Sequence, residues 1–255
     1  MLIHHLCPSF SLKGGSINVM EYEEIQVKHM KKVLLIVGLF LTFPIYADFE
    51  GAVTATSDYR IYGVSQTLED PALQLDLSYS HESGFFFGTF ISNVDFVEDS
   101  DPNDLDASVE IDLFVGYEFD LGKESAVALS LITYEYPGTN VNLDYLELIL
   151  DYSTAFGNFT VGYSNDAFAL DETGIRYEYA YGFDLSENAS LGFQIGYYDL
   201  DNGLNDSYVY YDLGVTVPVK MIDVTLSYNG TTSSGEDLFG DAAEDKFVLS
   251  ATYSF

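Results

Sequence analysis

Residues 247–255 read Phe-Val-Leu-Ser-Ala-Thr-Tyr-Ser-Phe. A strand sends successive side chains to opposite faces, so Phe247, Leu249, Ala251, Tyr253 and Phe255 form one apolar stripe. Val248, Ser250, Thr252 and Ser254 form the other face. Behind an export signal, such a strand suits a transmembrane β-barrel, with one phase in hydrocarbon and the other facing a polar lumen. A terminal aromatic also fits the signal read by barrel-assembly machinery, which makes Phe255 the expected contact with that partner.

Working back from this strand, the same two-residue period recurs. Strands are expected over Val53–Ile61, Leu73–Tyr79, Phe85–Asn93, Val109–Phe119, Leu146–Tyr152, Phe159–Ser164, Ile175–Asp184, Leu191–Tyr197, Val209–Val217 and Ile222–Tyr228. A further one over about 126–136 has an ambiguous phase, because apolar residues occupy both faces. With Phe247–Phe255 the set numbers twelve. Connections alternate in length. Those at 81–84, 120–125, 153–158, 185–189 and 218–221 are short, whereas those at 62–72, 94–107, 137–144, 164–173, 199–207 and 229–245 are longer and polar. The expected fold is therefore all-β: a transmembrane up-and-down antiparallel β-barrel with short periplasmic turns and longer extracellular loops. Tyr59, Tyr117, Tyr134, Tyr136, Tyr152, Tyr163, Tyr197, Tyr228 and Tyr253 cluster towards strand ends, where interfacial aromatic girdles are expected. A soluble sandwich would explain the period of two but not the alternating connections.

The start of the chain sorts into three segments. Met30-Lys-Lys, the eleven-residue apolar run Val33–Phe43 and a small residue at Ala47 read as a signal peptide over 30–47. The run is too short for a spanning helix, which needs roughly 20 residues. Residues 1–29, with Glu21, Glu23 and Glu24 ahead of the basic start, read as an over-extended start. Residues 48–255 are then a single barrel domain. Cys7, the only cysteine, lies in the leader, which excludes disulfides and thiolate chemistry from the barrel.

The chain carries 41 acidic and nine basic residues. Three acids and four bases fall before residue 48, leaving 38 acids against Arg60, Lys123, Arg176, Lys220 and Lys246. That balance excludes nucleic acid, whose binding needs cations along phosphates. On the polar phase lie Asp76, Glu110, Asp112, Glu118, Glu147, Asp151, Glu178, Asp184, Asp212 and Asp223, against one clear cation, Arg176. These eleven are the candidate pore lining. A carboxylate-lined tube favours cations and repels anions, and inward Tyr145, Tyr198, Tyr208 and Tyr210 could narrow it.

Other candidates carry less. His81 sits in a tight turn beside Glu82 and lacks the positioned carboxylate and oxyanion hole of a hydrolase, so no enzymatic activity is expected. The acidic runs Glu98–Asp106 and Asp199–Asp206 lack calcium-loop spacing. They read as solvated loops, with divalent cations shared with lipopolysaccharide phosphates as the weaker reading. No cofactor and no metal ligand set is expected; the expected partners are outer-membrane lipid, lipopolysaccharide and small solutes.

Thr56-Ser-Asp-Tyr-Arg-Ile-Tyr-Gly-Val-Ser-Gln66, Asp70-Pro-Ala-Leu73, Tyr79-Ser-His-Glu-Ser-Gly84, Ser92-Asn-Val-Asp-Phe96, Glu110-Ile-Asp-Leu-Phe-Val-Gly-Tyr117 and Thr133-Tyr-Glu-Tyr-Pro-Gly138 together resemble the TorF-type porins of Gram-negative bacteria. The match is dense over 52–138 and continues as strand pattern to the end. The resemblance implies an outer-membrane porin barrel. With the acidic polar phase, the expectation is a passive, cation-preferring pore for small hydrophilic solutes; a non-conducting structural or adhesion barrel, or a receptor using the acidic outer loops, is the alternative.

Overall fold

The structure, a computed structural model, describes residues 49–96, 105, 107–122, 124–200, 204 and 206–255. The leader, the signal segment 30–47, Lys123, nearly all of the acidic run Glu98–Asp106 and part of Asp199–Asp206 lie outside the described residues.

Twelve strands close into an antiparallel barrel. In chain order they are β1 (Phe49–Thr56), β4 (Ala72–Ser80), β5 (Phe85–Ser92), β6 (Glu110–Gly122), β7 (Ser125–Glu135), β8 (Tyr145–Thr154), β9 (Gly157–Ser164), β10 (Gly174–Ser186), β11 (Ala189–Asp199), β12 (Ser207–Val219), β13 (Ile222–Thr231) and β14 (Lys246–Ser254). Two short strands, β2 (Arg60–Ile61) and β3 (Val64–Ser65), form a separate hairpin. Helix α1 (Ser233–Phe239) and a 3-10 turn at Gly240–Ala243 fill the last long connection. Each strand pairs with its sequence neighbour in the ring, and β1 closes on β14. At that seam Gly51 and Phe255 exchange backbone hydrogen bonds of 2.9 and 2.8 Å, and Ser57 N donates to Leu249 O at 2.9 Å.

The alternation of connections stands as read. Only a few residues join β4 to β5, β6 to β7, β8 to β9, β10 to β11 and β12 to β13, while the opposite end carries every long connection. Most outward side chains are apolar and uncovered: Leu113, Leu129, Leu150, Leu213, Leu226 and Leu249 are all exposed, the last by 54%. Water-soluble monomers rarely expose a contiguous apolar band of this kind. Inward rings need room, and glycines supply it. The Phe114 ring lies over Gly88 and the Phe86 ring over Gly116, so a Cβ at either glycine would collide with the ring.

Two sequence expectations are corrected. The first strand ends at Thr56 rather than Ile61, and residues 57–69 turn into the barrel instead of forming an outer loop. Tyr62 and Gly63 adopt positive φ (50° and 82°), which reverses the chain. A Cβ on Gly63 would meet the side chain of Thr231, so glycine is required there for space as well as conformation. Second, Tyr59, Tyr134 and Tyr136 are not girdle residues but are buried inside. Tyr134 pairs with Asp112, which places it on the inward phase and resolves β7: Leu129 and Leu131 face out, Ser130 and Ile132 face in.

Candidate functional site: a hairpin across the lumen

The β2–β3 hairpin springs from the end of β1 and is held in shape by its own polar groups. The Asp58 carboxylate accepts from Ser65 Oγ at 2.6 Å, from Thr67 Oγ1 at 3.2 Å and from Arg60 Nη1 at 3.0 Å. Thr67 Oγ1 also receives Tyr59 N at 3.2 Å, and Gln66 N donates to Tyr59 O at 2.7 Å. Arg60 extends the anchorage to the barrel wall and the last long loop, donating to Asn229 Oδ1 at 2.9 Å, Ala242 O at 3.1 Å and Glu244 O at 2.7 Å.

At the tip, Tyr62 reaches the far wall. Its hydroxyl lies 3.0 Å from that of Tyr134 and donates to Glu147 Oε2 at 3.1 Å, and the Arg176 guanidinium lies 4.5 Å from its ring centre. Glu147 is on β8 and Arg176 on β10, the strands flanking the one diametrically opposite β1 in the ring order. The hairpin therefore crosses the lumen. Around its tip Tyr198, Tyr208, Tyr210, Phe168 and Phe239 pack ring against ring, which ties α1 and the 165–173 loop to the same plug.

The far wall is an ionic knot. Arg176 donates through Nε and Nη2 to both Glu147 oxygens at 3.2 Å and through Nη1 to Glu178 Oε2 at 3.2 Å. Tyr134 donates to Glu147 at 3.1 Å and Tyr210 to Glu178 at 2.6 Å. Glu147 is 1% exposed, and two charges this deep persist only when paired and hydrogen-bonded. Gly162 lies directly beneath: a Cβ there would strike the Glu147 carboxylate.

The side wall, at β6, carries Glu110 and Asp112, 0% and 4% exposed. Tyr59 donates its hydroxyl to Glu110 Oε1 at 2.7 Å. Burial, and then the Glu110 carboxylate beside it, push the Tyr59 phenol well above its ordinary range, so Tyr59 remains the donor.

The eleven candidate lining residues thus divide by depth. Glu110, Asp112, Glu147 and Arg176 are sealed under the hairpin, and Glu178 is nearly so. Below it, towards the short turns, Asp76, Glu118, Asp184 and Asp223 are exposed, and Asp151 and Asp212 half-buried. Asp151 accepts from Asn158 at 3.2 Å, and Asp212 from Asn229 at 3.1 Å. A recess of about 620 Å³ opens here, lined by Ser153, Asn158, Gly182, Gly192, Gln194 and Asp212 among others. Sequence reading missed Arg60 as a second inward cation with Asn229 beside it, and Tyr62 and Gly162 beside Arg176 and Glu147. The signal was the broken alternation of Tyr59-Arg-Ile-Tyr-Gly63, where a glycine interrupts what reads as a strand. His81 is exposed in its turn, with Nδ1 2.9 Å from Ser83 Oγ. Among the described residues no cluster of three or more His, Cys, Asp or Glu is placed to hold a metal.

Comparison with known proteins agrees with this architecture. The KdgM porin, solved in complex with disordered oligogalacturonate, matches with a TM-score of 0.51 at 8% identity over 82% of this chain and 99% of that one. The NanC porin matches with a TM-score of 0.53 at 11% identity over 81% and 98%. At such identities the likeness is one of fold. No curated protein matches in sequence. A family model does, over residues 46–255, and its description is a bacterial protein of unknown function. By that match, which spans the whole barrel, the chain belongs to the Gcw_chp family.

Proposed function

We propose that this chain is an outer-membrane porin: a passive channel for small hydrophilic solutes that prefers cations and is constricted by the β2–β3 hairpin. The observation that carries the reading is the sorting of charge inside the barrel. Both inward arginines are consumed by carboxylates, Arg60 by Asp58 and Arg176 by Glu147 and Glu178. The water-accessible lower lumen is left with Asp76, Glu118, Asp151, Asp184, Asp212 and Asp223. Carboxylates in a low-dielectric tube raise the local concentration of cations. The uncovered outer leucines support a hydrocarbon surrounding, and the fold likeness to KdgM and NanC supports a channel. Oligogalacturonate is a polyanion; the acidic lumen here argues for solutes that are neutral or cationic.

The remaining parts of the reading follow from the sequence. Export uses the signal segment 30–47, assembly machinery reads Phe255, the long-loop end faces lipopolysaccharide, and the TorF-type strings mark the same class of porin. No catalytic step belongs to it. One observation favours a second reading. The hairpin touches both walls, which suits a closed barrel with a structural, adhesive or receptor role.

Reconstitution into planar bilayers under a salt gradient separates the two. Stepwise conductance with a cation-signed reversal potential is expected. A silent bilayer containing folded protein, verified by different gel mobility before and after boiling, would leave the closed barrel standing.

A further inference from the structure

Glu110 and Asp112 stand two residues apart on the inward face of β6, about 6.6 Å along the strand. Both side chains are buried, yet Glu110 Oε2 and Asp112 Oδ1 have no hydrogen-bond partner. Glu110 accepts from Tyr59 on its other oxygen, and the Tyr136 hydroxyl also bears on this carboxylate. The inward arginines are committed elsewhere, to Asp58, Glu147 and Glu178. Two adjacent buried carboxylates without a cation are among the costliest arrangements a protein interior can hold. Both carboxylates belong to the same inward face of one strand, and a tyrosine hydroxyl holds the first of them.

We propose that Glu110 and Asp112 form a binding site for a hard divalent cation, Mg²⁺ or Ca²⁺, at the root of the lumen hairpin. Oxygen-only donors select hard cations over zinc or copper, which favour nitrogen and sulfur. Two carboxylates with water completing the shell is the pattern Mg²⁺ commonly takes. Entry is from the lower lumen. Asp76, exposed there, lies on the same register row as Asp112, with Phe90 between them. The bound ion neutralises the pair and, through the Tyr59–Glu110 bond, fastens the hairpin to β6. The site is independent of whether the barrel conducts.

The test uses the barrel in detergent, stripped with EDTA and returned to Mg²⁺ or Ca²⁺ at matched ionic strength. The temperature of the gel-mobility transition is expected to rise by about 5 °C at saturating ion. Glu110→Gln/Asp112→Asn is expected to abolish that rise and, in EDTA, to melt no lower than the parent, since it removes two unpaired charges. An equal rise in the variant would assign the effect to the acidic outer loops and overturn the proposal. So would no rise in the parent, as when protons alone neutralise the pair. Should the variant fail to assemble, Tb³⁺ emission excited through tyrosine decides on the parent protein. A single saturating step displaced by Ca²⁺ supports the site, and emission that never saturates removes it.

Discussion

Arg176 forms two ion pairs, lies over the ring of Tyr62 and stands where the far wall meets the hairpin tip. Arg176→Met leaves Glu147 buried without its cation and is expected to cost about 3–5 kcal/mol in denaturant unfolding from detergent. Arg176→Lys keeps the charge but loses the planar fork that spans both Glu147 oxygens, so it should recover only part of that loss. Gly162→Ala places a methyl against the Glu147 carboxylate and is expected to destabilise by about 1–3 kcal/mol. Were that alanine neutral in the same unfolding measurement, Glu147 would not be fixed where it stands. At this scale the sequence was half legible. The period of two assigned each acid to the inward phase, because a strand leaves no other choice. It could not separate Glu110, Asp112 and Glu147 from Asp76 and Asp184, because burial there comes from a segment folding in from elsewhere in the chain.

The β2–β3 hairpin is the element on which conduction turns. Replacing residues 59–66 with a flexible glycine-serine linker of equal length removes Tyr62 and Arg60 together and is expected to raise single-channel conductance several-fold. An unchanged conductance would mean that the current path avoids this level of the lumen. Asp58→Ala is a milder version: it deletes three acceptor contacts, among them the ion pair of Arg60, while leaving every barrel strand intact. Frequent brief openings to a larger level are expected in the same recordings. The hairpin was misread as strand followed by outer loop because Tyr59 and Ile61 continue the alternation of β1 past its true end. Local pattern cannot register that Ser57 already binds back to β14 or that Gly63 reverses the chain. The phase of β7 failed to read for a related reason. Ile132 is an inward apolar residue packed under the plug, so both faces of that strand are greasy.

At the scale of the molecule, strand number and the alternation of short and long connections were readable directly, since each depends on turn chemistry and spacing alone. Charge at this scale gives the remaining prediction. Asp76→Asn/Asp151→Asn/Asp212→Asn removes carboxylates from the open lower lumen without touching the sealed knot. It is expected to shift the reversal potential towards zero while leaving the gel-mobility transition in place. The effect should be largest in dilute salt, where screening extends over about 30 Å at 0.01 M against about 10 Å at 0.1 M. A selectivity unmoved by the triple change would place the filter elsewhere. The seam between β1 and β14 carries one last consequence. The earliest-made strand finds its second neighbour only when the latest-made one arrives, and that same arrival supplies Leu249 to grip Ser57, where the crossing segment begins. A polypeptide clipped before β14 therefore forfeits ring closure and the seating of its internal obstruction in one stroke. It keeps a raw strand margin prone to clumping.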